Sequence, residues 1–303
     1  MSDHLVGLPF EREGKQSTLL PVYHANRDFF TADLICFSLK SDQASMEAPF
    51  FSLSTKLDMS VYEWQSKDGK QRLSVIPSAL GRATQMDKDV LIFIVSQLIQ
   101  AKNEQRGDSN SRRVRFTVYD YLRATNKQTG GKDYKRLEVS LDRLKGTTIK
   151  TNIRANGQVF KKGFGLIDNW SIVEKSSTDT RMVAVEVELS KWLFHAICEK
   201  NVLTLSEEYF RLRKPLERRL YEIARKHCGK QPYWKVSTAV LYEKAGSVSK
   251  MFEFRRMLRD IVKNNQEFPE YRIAIDEERD MVVFWSRDAK KIVNALMKIE
   301  KTR

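Results

Sequence analysis

Cysteine and histidine are scarce in this chain of 303 residues, and the few present are badly spaced for chemistry. Cys36, Cys198 and Cys228 lie far apart with no C-x-x-C pair, so neither a disulfide framework nor a cysteine-rich zinc site can be built from them. His4, His24, His195 and His227 show no H-x-H or H-x-x-x-H spacing, which argues against a metal-dependent, two-histidine nicking centre. Long apolar runs are missing too. The longest, Val90 to Val95, falls far short of the roughly 20 residues that span a bilayer. The N-terminus carries Asp3 and no basic-then-apolar leader, so the expectation is a soluble intracellular protein.

Enzymatic signals are equally thin. Gly130-Gly-Lys132 lacks the full phosphate-loop pattern, and Asp133 directly after the lysine would repel phosphate. Tyr119 and Tyr121 read as packing residues of a short helix rather than nucleophiles. His227 beside Cys228 reads as a helix-end cap rather than a catalytic pair. No serine or cysteine sits in a nucleophile motif. The expectation is no catalytic residue, no metal and no cofactor.

Positive charge is what the chain has in excess: 53 Lys and Arg against 39 Asp and Glu, a net +14. It is unevenly spread. Residues 112–162 carry a net +10 and residues 206–263 a net +8, leaving the rest at −4. Two basic blocks on a mildly acidic frame point to two nucleic-acid-facing surfaces. Two solvated helical faces are the plainer alternative. With 41 % hydrophobic residues the chain can fill ordinary cores, and its length suggests two domains.

The pattern of elements repeats. Residues 1–45 read as a partly ordered arm, with an apolar stretch at Asp28 to Phe37. Val61–Trp64 and Arg72–Ile76 alternate around Lys67–Lys70, a hairpin signal. Thr84 and Asp87 resemble a capping pair before a buried helix through Val90, Leu91, Ile94, Val95 and Leu98. A short strand (Arg113–Thr117), a short helix (Val118–Ala124), a glycine turn and a basic helix (Lys132–Lys145, stopped by Gly146) follow. Thr147–Ile153, Asn156-Gly157 and the return from Val159 read as a hairpin, and Leu189–Glu199 as a helix leaving the domain. The second half runs in the same order about 120 residues on. Ser206 opens a helical region restarted at Pro215 and ended at Gly229. Then come a strand at Trp234–Val236, a helix at Thr238–Ala245, the Gly246 turn and a basic helix at Ser249–Asn264. A hairpin (Tyr271–Ile275, Met281–Trp285) and a closing helix (Asp288–Lys301) end it. This order is that of a winged helix, so the expected fold is α+β, two tandem winged-helix domains at 46–200 and 201–303.

Each basic helix has one apolar stripe to bury: Leu137, Leu141 and Leu144 in the first, Phe254, Leu258 and Ile261 in the second. That leaves Lys132, Tyr134, Lys135, Arg136, Ser140 and Arg143, and then Lys250, Arg255, Arg256 and Arg259, as candidate DNA contacts in major grooves. Glu253 either accepts from a cytosine amine or pairs with Arg256 at i+3, the pairing being the plainer expectation. Lys150 and Arg154 on one strand face of the first wing, with Lys161 and Lys162 on the return, suit a phosphate backbone or minor groove. Arg113, Arg115, Arg211, Arg213 and Lys214 complete the candidate set. The second hairpin turns through acidic Asp276–Asp280 and is expected to keep away from DNA.

The run Val202-Leu-Thr-Leu-Ser-Glu-Glu-Tyr-Phe-Arg-Leu-Arg-Lys-Pro-Leu-Glu-Arg-Arg-Leu-Tyr-Glu-Ile-Ala-Arg-Lys-His-Cys-Gly229 resembles the signature of the plasmid replication initiator protein A family. The resemblance extends to Ser45-Met-Glu47, Pro77-Ser78, Asp87-Lys-Asp89, Arg136-Leu137 with Leu141-Asp-Arg-Leu144, Phe164-Gly-Leu-Ile-Asp168 and Phe254-Arg-Arg256, and covers Phe29 to the second hairpin. Phe268-Pro-Glu-Tyr271 stands where a Leu-Pro-Asp-Tyr type of motif is usual. The resemblance implies a cytoplasmic bacterial protein that binds direct repeats (iterons) in double-stranded origin DNA, opens the duplex, and exchanges between monomer and dimer. Its implied partners are the host chromosomal initiator and replicative helicase. A dimeric repressor on an inverted repeat is the alternative use of the same fold.

Overall fold

The computed structural model describes residues 38–65, 72–155, 158–174, 182–199, 201–229, 231–263 and 268–292. It opens with β1 (Lys40–Asp42) running into α1 (Gln43–Glu47), which Asp42 caps by accepting the Ser45 N–H at 2.8 Å. β2 (Tyr62–Gln65) and β3 (Arg72–Ile76) pair antiparallel where the first hairpin is expected, its turn lying outside the described residues. α2 (Lys88–Asn103) follows a reciprocal turn in which the Thr84 N–H and hydroxyl donate to Asp87 at 2.7 and 2.9 Å. Next come β4 (Arg113–Thr117), α3 (Val118–Ala124), α4 (Gly131–Gly146), β5 (Thr148–Ala155), β6 (Gln158–Phe164), β7 (Ile167–Glu174), β8 (Met182–Leu189) and α5 (Lys191–Cys198). β9 (Val202–Thr204), a 3₁₀ turn capped by Ser206, and α6 (Pro215–Cys228) lead into the second half. It closes with β10 (Tyr233–Ser237), α7 (Thr238–Ala245), α8 (Met251–Lys263), β11 (Tyr271–Asp276) and β12 (Met281–Ser286). Helical residues 289–292 begin the expected closing helix, whose remainder falls outside the described residues.

A strand–helix–helix–hairpin unit occurs twice. β4 and β10, α3 and α7, and α4 and α8 each start 120 residues apart, at Arg113 and Tyr233, Val118 and Thr238, and Gly131 and Met251. The sheets match as well: β4-β8-β7 in the first unit, β10-β12-β11 in the second. This corrects the expected role of the Thr147–Ile153 hairpin. The hairpin that pairs with the unit's first strand is β7–β8, whereas β5–β6 joins β3 and β2 in a separate four-stranded sheet. The physical reason is register: Val114 and Phe116 bury the inner face of β4 opposite Val187 and Val185, which only β8 supplies.

Gly246 links the second unit to the N-terminal segment. It turns at φ +69° after α7, and a Cβ there would lie 2.4 Å from Pro49 Cβ. β1 pairs with β9, and Leu39 and Met46 are buried in the core built by α6, α7, α8 and the β10–β12 sheet. Residues 38–47 are thus an integral piece of the second core. The expected division between an arm ending at 45 and a first domain beginning at 46 falls inside it.

Buried charge joins the units. Lys88 of α2 meets Glu222 of α6 at 2.8 Å with both side chains at most 1 % exposed, and Arg218 pairs with Asp89 under equal burial. Glu222 also accepts from Gln85 at 2.6 Å and the Tyr209 hydroxyl at 2.7 Å. Arg219 donates to the carbonyls of Ser45, Met46, Glu47 and Lys244. Every charge in this layer has a partner, the condition under which buried ions are tolerated. Among the described residues no helix is long and apolar enough to cross a membrane.

Candidate nucleic-acid interface

The first basic helix, α4, buries Leu137, Leu141 and Leu144 at 2 % exposure or less, as its period requires. Two of its polar residues turn inward. Arg143 forms a two-point contact with Asp87 (Nε–Oδ2 2.7 Å, Nη2–Oδ1 2.6 Å), and the Ser140 hydroxyl donates to the same carboxylate at 2.6 Å. Asp87 therefore pins α4 to the start of α2, and its hydrogen bonds hold the Arg143 pKa above the usual guanidinium value. Ser140 and Arg143, expected on the outward surface, position the helix instead. Tyr134 is half-buried against the first core, and burial raises its pKa.

Lys132 and Lys135 are exposed and make no ion pair among the described residues, while Arg136 is tied to Asp133 at 3.0 Å. Beside α4 lies an open groove of about 960 Å³ between residues 54–58, the Asn126–Gln128 turn and the helix. Lys56, Arg82, Lys127, Lys135, Arg136, Arg143 and Arg213 line it against only Asp58, Asp87 and Asp133. Arg213, a candidate from sequence, reaches across to the Asn126 carbonyl at 2.8 Å. Arg211 and Lys214 pair locally with Glu208 and Glu217.

The second basic helix, α8, buries Phe254, Leu258 and Ile261. Phe252, Arg256, Arg259 and Lys263 fall on the opposite ridge at i, i+4, i+7 and i+11. All three arginines of α8, Arg255, Arg256 and Arg259, have acidic partners. Glu253 takes the i+3 pairing with Arg256 at 2.8 Å, and Asp260 approaches the same guanidinium at 3.6 Å. Arg259 reaches Glu277 at 2.9 Å and Arg255 reaches Asp280 at 2.8 Å. The acidic hairpin turn thus folds back over the helix. The hydrogen bond from Arg259 holds the Glu277 carboxyl below its usual range, and Glu253 and Glu277 raise the pKa values of Arg256 and Arg259. Lys250 is exposed at the helix start, its carbonyl accepting the Glu253 and Phe254 N–H groups.

The remaining candidates divide. Arg113 lies against Glu188 at 3.5 Å on the outer face of β4, and Arg115 is exposed beside it. Lys150 is exposed on β5. The side chains of Arg154, Lys161 and Lys162 lie outside the described residues. Two ridge residues escape a reading that searches only for cations: Val139 on α4, 37 % exposed, and Phe252 on α8, 61 % exposed. The signal was available, since each stands opposite its helix's buried stripe. Of the residues weighed for chemistry, Tyr121 is buried, and burial lifts its pKa far above the phenolic range. Cys228 is buried with its thiol pushed up to about 11, and His227 stacks on Trp234 within 3.3 Å of Glu47.

Comparison with known proteins supplies the context. The family model described as Replication initiator protein A matches residues 40–273. The "Putative replication protein" of Wigglesworthia glossinidia brevipalpis is 37 % identical over 264 residues, 86 % of this chain and 94 % of that protein. Among solved structures, one of domains 2 and 3 of RctB superposes with TM-score 0.60 at 12 % identity, covering 78 % of this chain and 95 % of that one. A second RctB domain 2–3 structure gives 0.55 at 13 %, covering 82 % and 98 %. At that identity the structural likeness speaks for the fold alone. By the family match and the close relative together, the chain belongs to the replication initiator protein A family.

Proposed function

We propose that this chain is a non-enzymatic, sequence-specific initiator that binds repeated sites in a plasmid origin through two winged helices, promotes opening of the duplex and recruits the host replication machinery. The observation that carries this reading is the repeat itself: two strand–helix–helix–hairpin units, each presenting a helix buried on one stripe and cationic on the opposite ridge. α4 and α8 each enter a major groove about one helical turn apart on one face of the duplex, with monomers bound to direct repeats. Lys132, Lys135 and the groove beside α4 hold phosphates, and Arg136 and Arg256 reach base edges. Val139 and Phe252, apolar side chains among cations, contact thymine methyl groups there. Host initiator and helicase are the partners, and dimerisation sets the fraction of active monomer.

A gel-shift series on DNA flanking the gene tests this. Arg256→Glu should abolish specific binding and weaken nonspecific binding by no more than its change of charge accounts for. Lys132→Ala with Lys135→Ala should weaken all sequences alike and flatten the salt dependence. An unchanged specific shift in Arg256→Glu would remove α8 from the interface.

A further inference from the structure

The irregular segment before β2 exposes a row of apolar side chains that the first core does not use. Asp58 sets their direction. Its carboxylate accepts from the Ser52 and Ser60 hydroxyls and from the Arg82 guanidinium, and its carbonyl accepts the Arg82 N–H at 2.8 Å. With Asp58 anchored against the protein, its neighbours at alternate positions, Leu57, Met59 and Val61, stand 69, 53 and 51 % exposed. Leu80, 41 % exposed, is next to Leu57, because Gly81 brings the two segments together: a Cβ there would lie 2.9 Å from Leu57 Cδ1. Leu57 and Leu80 line the groove beside α4, and Val139 of α4 adds an exposed apolar side chain to its helix side.

The same groove carries positive charge on both sides. Lys56, on the 54–58 wall, and Lys135, on α4, are exposed and make no ion pair among the described residues. Arg82, Arg136 and Arg143 are already matched, by Asp58, Asp133 and Asp87. What the groove leaves unanswered is therefore two lysines and a set of exposed leucine and valine side chains. Apolar surface rimmed by charge in this way marks a site of protein interaction.

We infer that the groove beside α4 docks an acidic protein segment with large apolar side chains, its carboxylates on Lys56 and Lys135 and its apolar groups on Leu57, Leu80 and Val139. The groove, about 960 Å³, is at the upper end of the roughly 300–1,000 Å³ of ordinary ligand sites, room for a short stretch of chain. Duplex phosphates would answer the lysines but offer the leucines no apolar surface to bury against. A purely apolar partner would cover the lysines without a counter-charge. A segment that is both acidic and apolar satisfies both, and the net +14 of the chain favours an acidic one. With α4 facing the duplex as proposed, segment and phosphates compete for the same lysines. Only this effect on DNA binding rests on the proposed function; docking itself does not.

The test is fluorescence anisotropy of the full chain with a short labelled peptide of alternating Asp and Leu, first without DNA and then in competition with a duplex carrying the target sequence. Two control peptides replace every Asp by Asn or every Leu by Ser, and both should bind more weakly. Leu57→Ser should weaken binding of the Asp–Leu peptide about 5- to 30-fold, the worth of covering most of a leucine side chain, and leave duplex affinity unchanged. Should that variant unfold, Lys56→Gln decides: it should weaken peptide binding about 1.4- to 5-fold, the worth of an exposed ion pair, and flatten its salt dependence. A chain that does not bind the peptide overturns the inference, as does peptide affinity unchanged in both variants. A Leu-to-Ser control that binds equally well would make the groove a site for any polyanion, and also overturns it. Peptide binding that leaves the duplex bound would overturn the shared use of the lysines. A chain that binds the peptide but no duplex would count against the proposed function and still support the docked segment.

Discussion

Glu222→Gln is the perturbation that most directly probes how the two units are held. It removes one negative charge from a layer where Lys88 Nζ sits 2.8 Å from Glu222, with both side chains at most 1 % exposed. The replacement amide still offers an oxygen to Gln85 and Tyr209, which lie 2.6 and 2.7 Å from Glu222. The loss is therefore one of charge, and it leaves a buried ammonium facing Arg219 without its carboxylate. Removing one partner of a buried pair costs about 3–5 kcal/mol, a large part of the roughly 5–15 kcal/mol that holds a domain folded. Removing both partners is different, because an intact buried pair adds little over a neutral replacement. Lys88→Met with Glu222→Gln should therefore return to within about 1–2 kcal/mol of the original chain. Urea unfolding followed by tryptophan fluorescence reads this, with the slope checked for loss of cooperativity. A single-variant cost below about 1 kcal/mol, or a double variant less stable than Glu222→Gln alone, would refute a charge-locked junction.

Other substitutions separate positioning from contact. Arg143→Ala should lower stability by about 1.5–3 kcal/mol, the worth of a hydrogen bond to a charged group, while leaving base preference in a binding-site selection unchanged. Glu277→Gln and Asp280→Asn release Arg259 and Arg255, so nonspecific duplex affinity should rise and its salt slope steepen by about one for each; a titration at several salt concentrations checks this. Asp58 accepts from Ser52, Ser60 and Arg82, which outweigh burial and hold its carboxyl at about 2. A lowered acid contributes stability above its unfolded pKa that is lost as pH falls through the folded value. Thermal midpoints should therefore drop between about pH 4 and pH 2, and Asp58→Asn should make that drop shallower.

The repeat was legible in the chain because its signals are local. Thr238–Ala245 and Val118–Ala124 begin and end where their caps and periodicity place them, and Gly246 takes the left-handed turn that its position suggests. The β7–β8 hairpin was not legible as the partner of β4. Pairing Arg113 with Glu188 spans 75 residues, and the strong turn signal of Asn156-Gly157 points to a hairpin that pairs with β3 instead. The same limit governs the site. The buried stripes of α4 and α8 follow from spacing, and so does the Glu253–Arg256 pair. That Asp87 captures Ser140 and Arg143, or that Glu277 covers Arg259, depends on residues the fold alone brings together.

The central claim is that two repeated units read repeated duplex sites. Footprinting the chain on the DNA flanking its own gene, at two salt concentrations, tests it most directly. The account predicts evenly spaced direct repeats, each protected over about two helical turns, with protection that weakens but persists at the higher salt. A lone inverted repeat would contradict it in favour of a dimeric repressor. Protection that vanishes at the higher salt, with no preferred sequence, would reduce both basic helices to nonspecific charge.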